Sequence, residues 1–310
     1  MNENSTLYWS TVRLYENCGQ AFLWSKGWGR IDLGHGPGKR IPSPEKRSRH
    51  HAVMGIVIQA VVEKMYNDEL YRDPPRLSVF MEELVEVYWA KETAKPRNFI
   101  DYRDSGMSEQ EMIQTCKDGA LGFLKTMKAH RLLGPYAKAE VDLVGWVDKY
   151  LKIGGRADTI IRRDDTGITI IDGKNSKRKQ ADPDQLRWYA LVFKLAFKKL
   201  PDRLAFVYYR YPYGDEYIDP QTGEKAVEEG VEWVDFTEDD LRGLALRAQE
   251  ARNGMRKEKF APSPSPDNCR WCDYLSICEA RQDQIKANSK NRPKKTLDAL
   301  SNSSGFVDLD

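Results

Sequence analysis

The chain has 310 residues, which suits one large domain or two ordinary ones, and 40% of them are hydrophobic. That is enough for a packed core and too much for a chain disordered throughout. The 49 Lys and Arg residues offset 47 Asp and Glu, leaving a formal net charge of +2, so a uniformly basic nucleic-acid coat is excluded and any basic surface is local. The longest strongly apolar run, Ala52 to Val62, is too short to cross a bilayer, so no membrane association is expected. Met1-Asn2-Glu3-Asn4-Ser5 lacks the cationic start and apolar run of a secretory signal. The expected location is cytoplasmic, where thiols stay reduced.

Residues 6–24 read as a short helix carrying Tyr15, Cys18, Phe22 and Trp24. A loop rich in Gly, Pro and basic residues follows over 25–48. Its Gly34-His35-Gly36-Pro37-Gly38-Lys39 does not meet the GxxxxGK[ST] spacing and follows no apolar strand, so an ATPase is rejected. Helical periodicity marks 50–71, 78–93 and 108–132. The character changes near Tyr136. Segments 138–146, 149–161 and 167–173 are rich in Val and Ile, are separated by turn residues, and read as an antiparallel meander. Asp182 then caps a helix that begins with Pro183 and runs to about Lys198. Residues 203–211 form a strand and 231–236 are a candidate for another. Thr237 caps a helix to about Lys257, residues 261–266 are a stiff extended connector, and the polar tail from about Asn288 is expected to be disordered.

The most informative stretch is Gly154-Gly155-Arg156-Ala157-Asp158, followed by Ile170-Ile171-Asp172-Gly173-Lys174. Asp164-Asp165-Thr166-Gly167 between them is a good turn. A hairpin centred near Asp165 pairs position 158 with 172, and a shifted register brings 158 opposite 174. Asp172 and Lys174 project from the same face. Two carboxylates and an ammonium on one sheet face are costly unless something binds between them. A hard divalent cation, Mg²⁺ or Mn²⁺, is the natural partner, with Lys174 acting on the attacking water and the phosphate. The bland alternative is a surface hairpin with solvated charges.

This set resembles the PD-(D/E)xK nuclease pattern in its RecB-like branch, where Asp, then Asp-x-Lys, are followed by Gln-x-x-x-Tyr on the next helix. Here the last element is Gln185 with Tyr189, one helical turn apart. Glu140, on the strand before the hairpin, sits where the family often has a glutamate. The family also carries a metal-ligating His on an earlier helix. The matching position is Gln59, whose amide oxygen can ligate a hard cation without charge. The resemblance thus implies Asp158, Asp172, Lys174, Gln185 and Tyr189 as catalytic residues. It implies Asp158, Asp172, the Gly173 carbonyl and Gln59 as the Mg²⁺ or Mn²⁺ site.

Of five cysteines, Cys269, Cys272 and Cys278 give C-x2-C-x5-C, and Cys18 lies far upstream. A four-thiolate site would clip the chain ends together, and its chemistry accepts zinc or an iron–sulfur cluster. One early Cys with a late C-x2-C-x5-C resembles the iron–sulfur RecB-like nucleases, which include the CRISPR-associated exonucleases and AddB-type nuclease domains. That resemblance implies a [4Fe–4S] cluster. The family usually has Cys-Pro where this chain has Cys18-Gly19. Cys116, on an amphipathic helix, reads as a core thiol.

Lys177, Arg178 and Lys179 lie beside the hairpin, and Arg187 lies in the next helix beside Trp188. Such groups give sequence-independent, salt-sensitive phosphate contacts, and an aromatic can stack on an unpaired base. Taken together, the resemblance implies an α/β (α+β) fold: a restriction-endonuclease-like core of a mixed central sheet flanked by helices, with a helical N-terminal part and an iron–sulfur staple. The expected divisions are 1–48 (first cluster Cys and Gly-rich loop), 49–135 (helical), 136–257 (nuclease core), 258–285 (Cys-rich) and 286–310 (tail, a candidate dock for a protein partner). The implied activity is metal-dependent exonucleolysis of DNA ends, preferring single strands, in a prokaryotic or phage-infected cell. The rivals are a non-catalytic DNA-binding adaptor and a zinc-stapled interaction protein.

Overall fold

A computed structural model of the chain describes residues 6–27, 48–133, 136–177, 179, 181–210, 216–218, 225–227, 230–270 and 272–282. The Gly-rich loop over 28–47, Arg178 and the tail beyond 282 lie outside the described residues.

The element order is β1 (Leu7–Tyr8), α1 (Trp9–Asn17), α2 (Gly19–Lys26), α3 (His50–Asn67), α4 (Pro74–Thr93), α5 (Tyr102–Ser105), α6 (Glu109–Ala129), β2 (Ala137–Asp148), β3 (Leu151–Arg163), β4 (Gly167–Lys174), α7 (Pro183–Phe197), β5 (Arg203–Tyr208), β6 (Glu216–Ile218), β7 (Lys225–Val227), β8 (Val231–Trp233), α8 (Glu238–Arg256) and α9 (Pro266–Arg270). Local chemistry sets several boundaries. Ser108 and Glu111 form a reciprocal capping box at the start of α6, and Thr237 and Asp240 do the same for α8. The Asp182 side chain caps α7 through the Asp184 N–H, with Pro183 at the first helical position.

One mixed sheet is ordered β1-β3-β4-β5-β8, with β2 on the far edge of β3, and β6 pairs with β7 apart from it. The β2–β3 and β3–β4 pairs are antiparallel, and β4–β5 is parallel. Side chains along β5 alternate between two buried clusters. Leu204, Phe206 and Tyr208 enter one with α1, α7 and α8; Ala205 and Val207 enter the other with α3, α4 and α6. The sheet is thus covered on both faces, and the mixed central sheet flanked by helices matches the expected fold.

The expected single helix over 6–24 is instead a strand and two helices, broken at Cys18, whose backbone is extended at φ −163° and ψ 107°. Gly19 follows the break and starts α2. A Cβ there would lie 2.8 Å from the Phe260 Cα, so only glycine lets α2 press against the connector. Around this contact the chain ends are tied together. Tyr15 donates to the Lys259 carbonyl at 2.9 Å, Asn268 donates to the Asn17 carbonyl at 2.7 Å, and the Phe22 and Phe260 rings stack at 5.9 Å. Among the described residues no helix is long and apolar enough to cross a membrane.

Candidate functional site

The hairpin register decides the site. Residues 159 to 163 of β3 pair with 171 to 167 of β4, so one further step brings Asp158 opposite Asp172. The shifted alternative is excluded. On the other edge of β3, positions 139 and 141 pair with 159 and 157, which sets Glu140 opposite Asp158. Three carboxylates therefore stand in a row across β2, β3 and β4. Upstream of Asp158, β1 replaces β4 beside β3, pairing Leu7 with Ile153. The ladder thus opens at Asp158, and its Oδ2 accepts from the Gly173 N–H at 2.7 Å. Glu140 has φ +51°, a left-handed backbone for a non-glycine residue. Strain of this kind costs roughly 1–3 kcal/mol and persists only where the surrounding structure enforces it.

Asp172 is 2% exposed. The Lys174 ammonium contacts its Oδ2, and Gln185 Nε2 donates to its Oδ1 at 2.9 Å. Gln185 also accepts from Lys174 Nζ at 2.8 Å and donates to the Tyr189 hydroxyl at 3.2 Å. One amide thus fixes Asp172, Lys174 and Tyr189 together. The Gln185 side chain is spent on these contacts, while the Asp182 cap of α7 accepts from the Asp184 N–H. Lys174 also lies 5.2 Å from the centroid of the Phe206 ring.

Gln59, on α3, donates through Nε2 to Glu140 Oε1 at 2.6 Å and accepts from the Tyr209 hydroxyl at 3.1 Å. An open cleft of about 670 Å³ runs between α3 and the sheet, bordered by Gln59, Glu63, Glu140, Gly173, Asn175 and Tyr209. Tyr209 was not marked by any sequence signal, since it lies just past the end of β5. Its phenol is held neutral by burial and by the charges of Asp158, Asp172 and Glu140. Its hydroxyl also explains Gly173: a Cβ there would fall 1.6 Å from the Tyr209 oxygen. Gly173→Ala is expected to lose about 1–3 kcal/mol of stability through overpacking and to displace the Asp158 contact. Thermal melts and cleavage assays check both effects.

Burial and the neighbouring Asp172 push the Asp158 carboxyl well above the usual carboxylate range. Burial also raises Asp172, against the opposing pull of Lys174. Oxygen donors massed in this way suit a hard divalent cation.

The remaining expected residues divide. Lys177 borders a second pocket beside Tyr209, and Lys179 is exposed on the same connection. Arg187 lies about 200° round α7 from Gln185. It bonds the Asp184 carboxylate at 3.1 Å and the Asp235 carbonyl at 3.1 Å, away from the site. Trp188 cannot stack on a base, because it is fully buried and donates to the Gly154 carbonyl at 2.9 Å.

Cys18, Cys269, Cys272 and Cys278 line one pocket at the joined chain ends, and none is disulfide-bonded. The Cys272 thiol is raised chiefly by burial and also by the other three sulfurs. Four thiols in one pocket are a donor set for zinc or an iron–sulfur cluster. Among the described residues, no group of three or more His, Cys, Asp or Glu side chains already stands in a metal-holding arrangement, so for both sets the fit is one of donor chemistry. Cys116 is a core thiol, with its pKa pushed up to about 12 by burial.

A protein-family model described as the PD-(D/E)XK nuclease superfamily matches residues 9–279. A solved structure described as "Crystal structure of SSO0001" is 21% identical, with 58% of this chain and 79% of that chain covered at a TM-score of 0.32. No curated protein matches the chain.

Proposed function

The chain belongs to the PD-(D/E)XK nuclease superfamily, and from that premise we propose a metal-dependent deoxyribonuclease of the RecB-like iron–sulfur branch, an exonuclease that hydrolyses phosphodiester bonds at DNA ends. We further assign it a preference for single strands and a role in recombination, repair or phage DNA metabolism. The observation that carries the reading is the buried Asp172 held by Lys174 and Gln185, with Asp158 across the ladder.

Asp158, Asp172 and the Gly173 carbonyl would hold Mg²⁺ or Mn²⁺. Such an ion supplies charge neutralisation at a phosphodiester and acidifies water. The protein does the rest. Gln185 holds the Lys174 ammonium over the carboxylates, where it orients the attacking water and steadies the phosphate. Tyr189 braces Gln185 from within the core. Gln59 would add an amide oxygen toward the ion only beside its bond from Tyr209. Its bond to Glu140 makes it foremost the group that positions that carboxylate. The four cysteines would hold a [4Fe–4S] cluster, with zinc as the alternative, as a structural clip remote from the hydrolysis.

Asp158, Asp172 and Lys174 gathered at one hairpin favour the hydrolytic reading over a non-catalytic adaptor. The test uses linear and covalently closed circular single-stranded DNA with Mn²⁺. The linear form is expected to be degraded and the circle to survive. Equal loss of the circle would overturn the end-directed activity.

A further inference from the structure

A second pocket, of about 400 Å³, adjoins the carboxylate cleft and shares Tyr209 with it. Its charged lining is Lys125 of α6, Lys177 of the β4–α7 connection, Arg210 just after β5, and one acid, Asp118. Asp118 is engaged, since its Oδ1 accepts from Gln114 at 2.9 Å. Three cations therefore face one concavity against one carboxylate already in use.

The helix face is built for this approach. Residues 115, 118, 119, 122 and 125 all line the pocket, the spacing of one helical stripe. Two of them are glycines. A Cβ on Gly122 would stand 2.9 Å from the Tyr209 carbonyl, and one on Gly119 would stand 2.7 Å from the Ile58 side chain. The missing side chains let the Tyr209-Arg210 backbone pass directly over α6 and bring the guanidinium into the groove. There Arg210 Nε is buried without a hydrogen-bond partner. Buried polar groups are normally satisfied, and a guanidinium fork matches phosphate oxygens.

We propose that Arg210, Lys177 and Lys125 form a phosphate-binding subsite that grips the DNA backbone next to the scissile position. This deepens the nuclease reading and rests on it. The subsite positions the strand rather than reacting with it. Since none of its groups reads a base edge, it adds affinity without sequence preference. Its nearness to the reacting centre has a structural cause: the Tyr209 hydroxyl lies against Gly173, and the next residue supplies the guanidinium.

The test is equilibrium binding of a fluorescent single-stranded oligonucleotide across a salt series, run beside cleavage of the same strand. It uses the native chain and Arg210→Gln, Arg210→Lys and Lys125→Gln. Lys125 is exposed, so its replacement does not threaten folding. Each Gln variant is expected to bind about three- to ten-fold more weakly and to lower the slope of log K against log salt by about 0.7. Arg210→Lys keeps the charge and should retain the native slope. If the native protein binds and cleaves while both Gln variants keep the native slope and affinity, the subsite is wrong and the nuclease reading stands. If the native protein neither binds nor cleaves, both fall.

Discussion

Asp172→Asn is expected to lower DNA cleavage by roughly 10²–10³-fold, the scale seen when a group that stabilises developing charge is removed. The folded protein should survive the change, and in the absence of metal it should melt at a higher temperature. The reason is electrostatic. Burial raises the pKa of both Asp158 and Asp172, and Lys174 opposes the rise. A carboxyl whose folded pKa lies above its unfolded value gives a contribution that is fully present below the unfolded pKa. That contribution is lost as pH rises through the folded pKa. The metal-free protein therefore loses stability from this site as pH rises above the ordinary carboxylate range, and Asp158→Asn or Asp172→Asn flattens the loss. Cleavage runs the other way, since an ionised Asp158 is needed to hold a cation, so activity rises with pH over the same window. Thermal melts with and without Mg²⁺ across that range check the sign. A native protein whose metal-free stability rises with pH through this window, with no difference in Asp158→Asn, would contradict the assignment.

The second large effect belongs to the thiols. Replacing Cys272 by Ser should destabilise the whole chain even though the four thiols line a pocket apart from the carboxylate cleft. Cys18 and the late cysteines lie roughly 250 residues apart, and closing a loop of that length removes about 5 kcal/mol of unfolded-state entropy on a simple chain model. Metal binding at such a site is also folding energy. The ends are already joined by Tyr15 to Lys259, Asn268 to Asn17, and Arg247 to Glu16. Loss of one thiolate should therefore loosen the clip and lower the melting temperature without scattering the fold. Cys116→Ser, deep in the other core, should leave any iron or zinc content untouched. Protein purified without oxygen is expected to be brown and to bleach on reduction. A colourless, active protein with stoichiometric zinc would remove the cluster and keep the four-cysteine site.

Much of this site was legible because its pieces are local. The turn over 164–167 fixes the hairpin, and the hairpin fixes which aspartates face each other. Asp182 and Pro183 start α7, and the helical repeat then carries Gln185 and Tyr189 to the same side. What the sequence hid depends on distant packing. Tyr209 matters only because the end of β5 lies over Gly173, and no periodicity announces that. Glu140 was placed by resemblance, whereas its left-handed backbone opposite Asp158 had no sequence signal. The glycine after Cys18 matters because Phe260, more than two hundred residues away, packs against it. Arg187 and Trp188 misled for the complementary reason. Charge and aromaticity were visible, but the helix face that each occupies was settled by Asp235 and Gly154 across the fold.

The most direct test of the central claim is a single cleavage experiment on end-labelled single- and double-stranded DNA with Mn²⁺, comparing the native chain with Lys174→Ala. Lys174 touches both Asp172 and Gln185 and is partly exposed, and a thermal melt run beside the assay checks that the variant is folded. The native chain is expected to release label progressively from ends, to stop on chelation of the metal, and to favour single strands. Lys174→Ala is expected to be slower by roughly 10²–10³-fold. Cleavage by Lys174→Ala at the native rate, or native cleavage that persists in excess chelator, would contradict a metal-dependent active site at this hairpin.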